Sequence, residues 1–327
     1  MENYRSAAKR VEASLQSARG PQQVVDAPRE YRKAQARIGQ HLTQLKAAGK
    51  SSEAAELQAQ IAAAQASLGT SGELDAAMEA GSRAYMKQEF EDAEKTFKDA
   101  VRLAESIHPR DQRLVMALGF LGTLYHNRKD DADAERTFEE QLKVAEEVYG
   151  EGSPKICPML QTLARFYLER GDAPRAESFA QQELTLAEKN AGNDNFSYSI
   201  GLMSVGYVYL TEKQYAKAEP YIQKAANIHE QLTGPQRMIL VSSKQMLCTV
   251  YDGLSQTDKA EPCYRQLLPL MEQVYGANSQ ALAPVLTGES QALRALGRTA
   301  EADDVDRRMQ SLQPVAPGQL PRMVPTY

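Results

Sequence analysis

Tryptophan is absent from the 327 residues, and only three cysteines and four histidines occur. Runs of β-branched residues are scarce, which disfavours a sheet protein. No apolar stretch approaches the roughly 20 residues of a membrane span. Cys157, Cys248 and Cys263 form no CxxC pair and have no histidine at ligand spacing. They are therefore expected to be small buried side chains, not a metal or redox site. Cys248 and Cys263 fall on two helices of one hairpin, so a disulfide is conceivable, but nothing in the spacing indicates one. His41, His108, His126 and His229 are scattered, and each is expected to be a surface or internally satisfied residue. No G-x-x-x-x-G-K-[ST], H-E-x-x-H or G-x-S-x-G motif is present. Acid pairs such as Glu139-Glu140 and Glu146-Glu147 are read as solvated charge. Catalysis, cofactors and metals are accordingly not expected.

Excess positive charge is also missing. The formal net charge is −5, which argues against a general nucleic-acid binder. The sign is uneven: residues 1–70 carry net +4 and the remainder −9. The opening "MENYRSAAKR" does not read as a signal peptide. The default expectation is therefore the cytoplasm, or the periplasm if a leader has been removed.

What is present is repetition, in a composition rich in strong helix formers. The dipeptide Ala-Glu begins at Ala93, Ala134, Ala176, Ala218 and Ala260, and Ala302-Asp303 continues it. The steps are 41, 42, 42, 42 and 42 residues. A tyrosine precedes each of the first five, at Tyr85, Tyr125, Tyr167, Tyr209 and Tyr251, with Leu293 in the sixth place. Four residues before the later tyrosines stands an apolar residue followed by a small one: Leu121-Gly122, Leu163-Ala164, Val205-Gly206 and Leu247-Cys248. Leu114, Leu118, Leu121 and Tyr125 share one helical face; Ala134, Phe138, Leu142, Ala145 and Tyr149 share another. Each unit thus reads as two helices that approach closely where neither presents bulk. Gly150 and Gly276 are read as left-handed stops closing a unit. Pro158, Pro174 and Pro284 sit in first turns, where a missing N–H costs least, and Pro220 and Pro262 lie near the first turns of second helices. Pro269 is deeper and is expected to kink its helix.

This pattern resembles the tetratricopeptide repeat family, in the long form found in kinesin light chains and related bacterial proteins. The resemblance covers about residues 73–312. It implies an all-α fold: a right-handed superhelical solenoid of antiparallel helix pairs, with six repeats over 73–312. Residues 1–70 read as an N-terminal helical cap. It contains a helix over 2–18 and a degenerate repeat, whose second helix is placed over 54–68 because Gly49 and Ala54 repeat the spacing of Gly297 and Ala302. Residues 313–327 contain four prolines and no helical stripe, so an extended or disordered tail is expected.

In this family the first helices line the concave face. Carried over position by position, the groove residues are Glu79, Arg83, Met86 and Lys87; Thr123 and Asn127; Gln161 and Arg165; Met203 and Tyr207; Gln245 and Thr249; and Gln291 and Arg294. Met116, His126, Leu168 and Leu210 occupy equivalent inward places. The resemblance implies a non-catalytic scaffold or adaptor for a protein or peptide partner. Two alternatives remain open: an assembly component of a bacterial envelope or secretion complex binding through convex or edge surfaces, and a regulatory subunit of a separate effector such as a protease. Kinesin light chains resemble "NNLA" in the first helix, whereas the stretches here are "GFLG", "QTLA", "MSVG" and "KQML". The Lys/Asn clamp of cochaperones is also absent, so neither partner class transfers. The sequence names no ligand and no oligomeric state.

Overall fold

The computed structural model describes residues 43–190, 195–232 and 238–313. The expectations for residues 2–18 and 314–327 lie outside them. The chain divides into two compact units, residues 1–76 and 77–327. In the first, residues 43–47 are helical and turn at Gly49, whose φ is +70°. Helix α1 (Ser51–Met86) then begins, with Ala54 buried. Helix α1 runs unbroken through Gly69 and Gly72. An isolated glycine weakens a helix by only about 1 kcal/mol and does not stop it without a turn to receive the chain.

The second unit continues with α2 (Phe90–Glu105), α3 (Gln112–Arg128), α4 (Asp131–Tyr149), α5 (Cys157–Glu169) and α6 (Ala173–Asn190). It is completed by α7 (Asn195–Thr211), α8 (Tyr215–His229), α9 (Met238–Gly253), α10 (Thr257–Tyr275), α11 (Ala283–Ala295) and α12 (Thr299–Gln310). From α2 onward each helix packs on the next in sequence, within a hairpin and between hairpins alike. No strand occurs among the described residues, apart from a single bridge of Gln313 to Ser279.

First helices end in one way. At Gln88, Lys129, Gly171, Lys213, Ser255 and Gly297 the chain takes φ of +55° to +76°. The following N–H reaches back 2.8–2.9 Å to the carbonyl of Ala84, Tyr125, Tyr167, Tyr209, Tyr251 or Leu293. This is a Schellman stop, and it satisfies the last carbonyls while reversing the chain. Gly49 makes the same turn. The stops expected at Gly150 and Gly276 differ: φ is +88° and +89°, but ψ is 142° and 147°. That is extended backbone of a hand only glycine adopts, and it lets the chain leave the helix without curling back. Pro158 and Pro284 do occupy first turns. Helix α10 continues to Tyr275 past Pro262 and Pro269.

The recurrent alanines Ala93, Ala134, Ala176, Ala218, Ala260 and Ala302 are each at most 1% exposed. The small residues of the first helices face the side chain one turn further on. A Cβ at Gly122 would meet the Phe138 ring at 2.7 Å, one at Gly81 the Phe97 ring at 2.6 Å, and one at Gly206 Ile222 at 2.5 Å. Within a hairpin a large residue therefore seats in the notch left by a glycine, beside the alanine contact.

One expectation about sulfur is corrected. Cys248 and Cys263 are joined in a disulfide across the α9–α10 hairpin, and Cys157 is the unpaired cysteine. Cys248 stands in the small-residue position of its repeat and Cys263 one helical turn after Ala260, where hairpin packing brings Cα atoms to 5.6 Å, within bridging range. Spacing along the chain could not show this, because the closeness arises from the crossing of two helices. Thiol titration of denatured, unreduced protein should find one reactive thiol per chain. Three would contradict the pairing.

Candidate functional site

Neighbouring hairpins are joined by a repeated polar clasp. The glutamate after each packing alanine takes part in it. Tyr125 donates its hydroxyl to Glu94 at 3.3 Å and Tyr209 to Glu177 at 2.6 Å. The Tyr167 hydroxyl lies 3.0 Å from Glu135 and 2.7 Å from Glu139. Tyr251 donates instead to Gln223 at 2.7 Å. A cation from the following hairpin closes the contact: Arg128 on Glu94 at 2.5 Å, Arg175 on Glu135 at 2.7 Å, Lys259 on Glu219 at 3.0 Å and Arg298 on Glu261 at 3.0 Å. Arg175, Lys217 and Lys259 also lie over the Tyr167, Tyr209 and Tyr251 rings at 4.8–5.3 Å. Glu94 is held below the ordinary carboxylate range by Lys98, with Arg128 adding to it. Tyr209 is pushed up to about 12, first by its bond to Glu177 and then by burial. Glu139, read from sequence as solvated, is thus a hydroxyl acceptor.

The face built by the first helices carries the residues expected to bind. Glu79, Arg83, Met86, Lys87, Thr123, Asn127, Arg165, Tyr207, Gln245, Thr249, Gln291 and Arg294 are exposed; Gln161 and Met203 are half-buried. Leu168, expected to face inward, is 7% exposed and belongs to the hydrophobic core. Several of these residues are already engaged. Asn127 of α3 donates to the Tyr85 hydroxyl of α1 at 2.5 Å, and Gln161 of α5 to Ser204 of α7 at 3.3 Å. His126 of α3 lies 3.1 Å from Glu169 of α5, so first helices bond laterally along this face. Thr123 and Thr249 bond back to the carbonyls of Gly119 and Gln245 in their own helices. Gln245 donates weakly to the Met271 sulfur. Glu79 pairs with Arg83 at 3.0 Å, and Arg165 approaches Glu169 only to 3.9 Å. Arg294 is held by both Asp303 and Asp306 of α12, so it braces the last hairpin. Lys87 and Gln291 make no side-chain bond among the described residues.

A pocket of about 320 Å³ lies where α3 and α5 end, lined by His126, Lys129, Asp131, Glu169 and Arg170. Within it Arg170 pairs with Asp131 at 2.7 Å and His126 lies 3.1 Å from Glu169. Among the described residues no cluster of three or more His, Cys, Asp or Glu could hold a metal, and no helix is long and apolar enough to cross a membrane.

The arrangement of hairpins, lateral clasps and small-residue notches has relatives. Residues 112–189 and 199–273 match the family model described as tetratricopeptide repeat. Those two segments carry tetratricopeptide repeats. Solved structures with similar backbones include BtubC (BKLC) from P. vanneervenii, with a TM-score of 0.54 and 18% identity over 84% of this chain and 91% of that one. A putative kinesin light chain from Podosopora anserina with nearly identical TPR-like repeats gives 0.51 and 16%, over 61% and 95%. Aspartyl phosphate phosphatase F from Bacillus subtilis gives 0.53 and 15%, over 92% and 86%. Such identities show a shared fold alone: an all-α superhelical array of tetratricopeptide hairpins. No curated protein matches the sequence.

His229 joins three of the hairpin helices. It is fully buried in α8, with Nε2 2.8 Å from Ser199 of α7 and Nδ1 3.1 Å from Ser243 of α9. Burial lowers its pKa to about 4. A histidine depressed from its unfolded value near 6.5 contributes stability above that value and loses it as pH falls toward 4. The melting temperature should therefore drop between pH 6.5 and 4, and His229→Gln should flatten that part of the profile. An unchanged slope in the variant would contradict the assignment.

Proposed function

We propose that this array is a non-catalytic adaptor that binds an extended peptide or protein segment along the face of its first helices, in keeping with the protein-interaction scaffolds that tetratricopeptide repeats build. The observation that carries the reading is exposed apolar surface. Met86 is 80% exposed, Met116 52% and Tyr207 50%, and all three stand at positions that the family resemblance turns inward, in different repeats. Large apolar side chains left open on one face, interleaved with Arg83, Lys87 and Arg165, suit a partner with apolar and acidic groups. Arg294 is set aside from this role, because its guanidinium is already doubly paired.

Where the scaffold works is also inferred. The Cys248–Cys263 disulfide favours an oxidising compartment over the cytoplasm, since reduced thiols are the rule in the latter.

An array of random-sequence peptides tests the binding face. The wild-type chain should retain a subset, and Arg165→Ala and Tyr207→Ala should each weaken those by about tenfold or more, as loss of a charge-assisted bond or an aromatic contact implies. Thermal melts should not change. Glu140 and Lys143 are exposed on second helix α4 and serve as controls. If the groove variants bind at full strength and Glu140→Ala or Lys143→Ala do not, the partner binds the outer face and the adaptor reading fails.

A further inference from the structure

We propose that Glu183, Ser204 and Gln161 form a cation subsite in the floor of this face, which receives a lysine or arginine side chain of the bound partner. The proposal rests on the reading of the first-helix face as the binding surface and gives it a chemical preference. Glu183 lies on α6 and is 2% exposed. Its Oε2 is buried and has no hydrogen-bond partner among the described residues. Ser204 of α7 hydrogen-bonds the carboxyl, and Gln161 of α5 in turn donates to the Ser204 hydroxyl at 3.3 Å. The carboxyl is therefore linked through Ser204 of α7 to Gln161 of α5; both polar residues are half-buried, and Gln161 is a position expected to line the groove.

The repeat does not require an acid there. The equivalent places, seven residues after each packing alanine, hold Ala100, Gln141, Ala225, Leu267 and Met309. Gln141, its counterpart one repeat earlier, is satisfied within its own hairpin by the Val115 carbonyl at 3.0 Å. The clasp glutamates Glu94, Glu135, Glu219 and Glu261 each meet an Arg or Lys, whereas no cation pairs with Glu183 among the described residues. A buried carboxylate without a counter-charge is costly, and a fold that needs only a small or apolar side chain has no structural reason to keep it. Burial pushes Glu183 up to about 7, with only the Ser204 bond opposing it. The nearby Cys157 thiol is pushed up to about 11 by burial and then by the Glu183 charge, so it supplies no compensation. Gln161 is held to Ser204 by one long hydrogen bond at 3.3 Å.

Two measurements test the subsite. The first follows the Glu183 carboxyl by carbon NMR as a function of pH, in ethylguanidinium chloride and in sodium chloride at matched ionic strength. The titration midpoint should be lower in ethylguanidinium by roughly one pH unit, a tenfold preference for the ionised form. Equal midpoints would overturn the proposal. The second compares the wild type with Glu183→Gln on the random peptide array. Peptides retained by the wild type should be enriched in Lys or Arg at one position. The variant, which keeps the side-chain shape and removes the buried charge, should still bind peptides but lose that enrichment. A preference unchanged in Glu183→Gln refutes the subsite and leaves the adaptor reading intact. Absence of any peptide retention by the wild type refutes both.

Discussion

The lateral contact between hairpins is the constraint on which everything else depends. A two-helix unit of this size cannot bury its apolar stripe alone, so each hairpin must be covered by the next. Within each hairpin, alanines at most 1% exposed and rings or branched side chains in glycine notches set how closely the two helices pack. Polar groups then fix the register. The tyrosine of one first helix reaches the carboxylate on the preceding second helix, and at Tyr167 and Glu135 the Arg175 guanidinium of the same hairpin covers both. The contact is partly shielded from water, where hydrogen bonds to charged groups contribute about 1.5–3 kcal/mol. The same stacking that hides these groups lines up first helices and thereby builds the face that carries Met86, Met116, Arg165 and Tyr207.

Much of this was legible in the sequence. The 42-residue step located the hairpins, and the alanine, tyrosine and small-residue positions located their contacts. The groove positions also emerged mostly exposed. The glutamate of Ala-Glu has no role assigned to it from the sequence, although it recurs in five of the six repeats. That regularity was the available signal, since solvent imposes no period of 42. Leu168 was misplaced because helical phase alone cannot separate a groove position from one turned slightly toward the next hairpin.

Other features had no local signature. The Cys248–Cys263 bond depends on a helix crossing that brings together residues 15 apart in sequence. The continuity of α1 reflects the absence of a reversing turn, which glycine content alone does not reveal. Glu183 looks like any helical glutamate until its neighbours on α5 and α7 are placed. Departures from the repeat are the informative positions here. Where five hairpins accept small, amide or apolar residues and the third holds a buried acid, the exception points away from folding and toward binding.

Hairpins are coupled through the tyrosine–carboxylate contact, and a double-mutant cycle on Tyr209 and Glu177 measures that coupling directly. Tyr209→Phe and Glu177→Gln, singly and together, would be compared by chemical denaturation. The single variants should each lose stability, and the double variant should lose less than their sum, giving a coupling energy on the order of 1 kcal/mol. Strict additivity, with the double variant losing the full sum, would show that the contact does not join the hairpins.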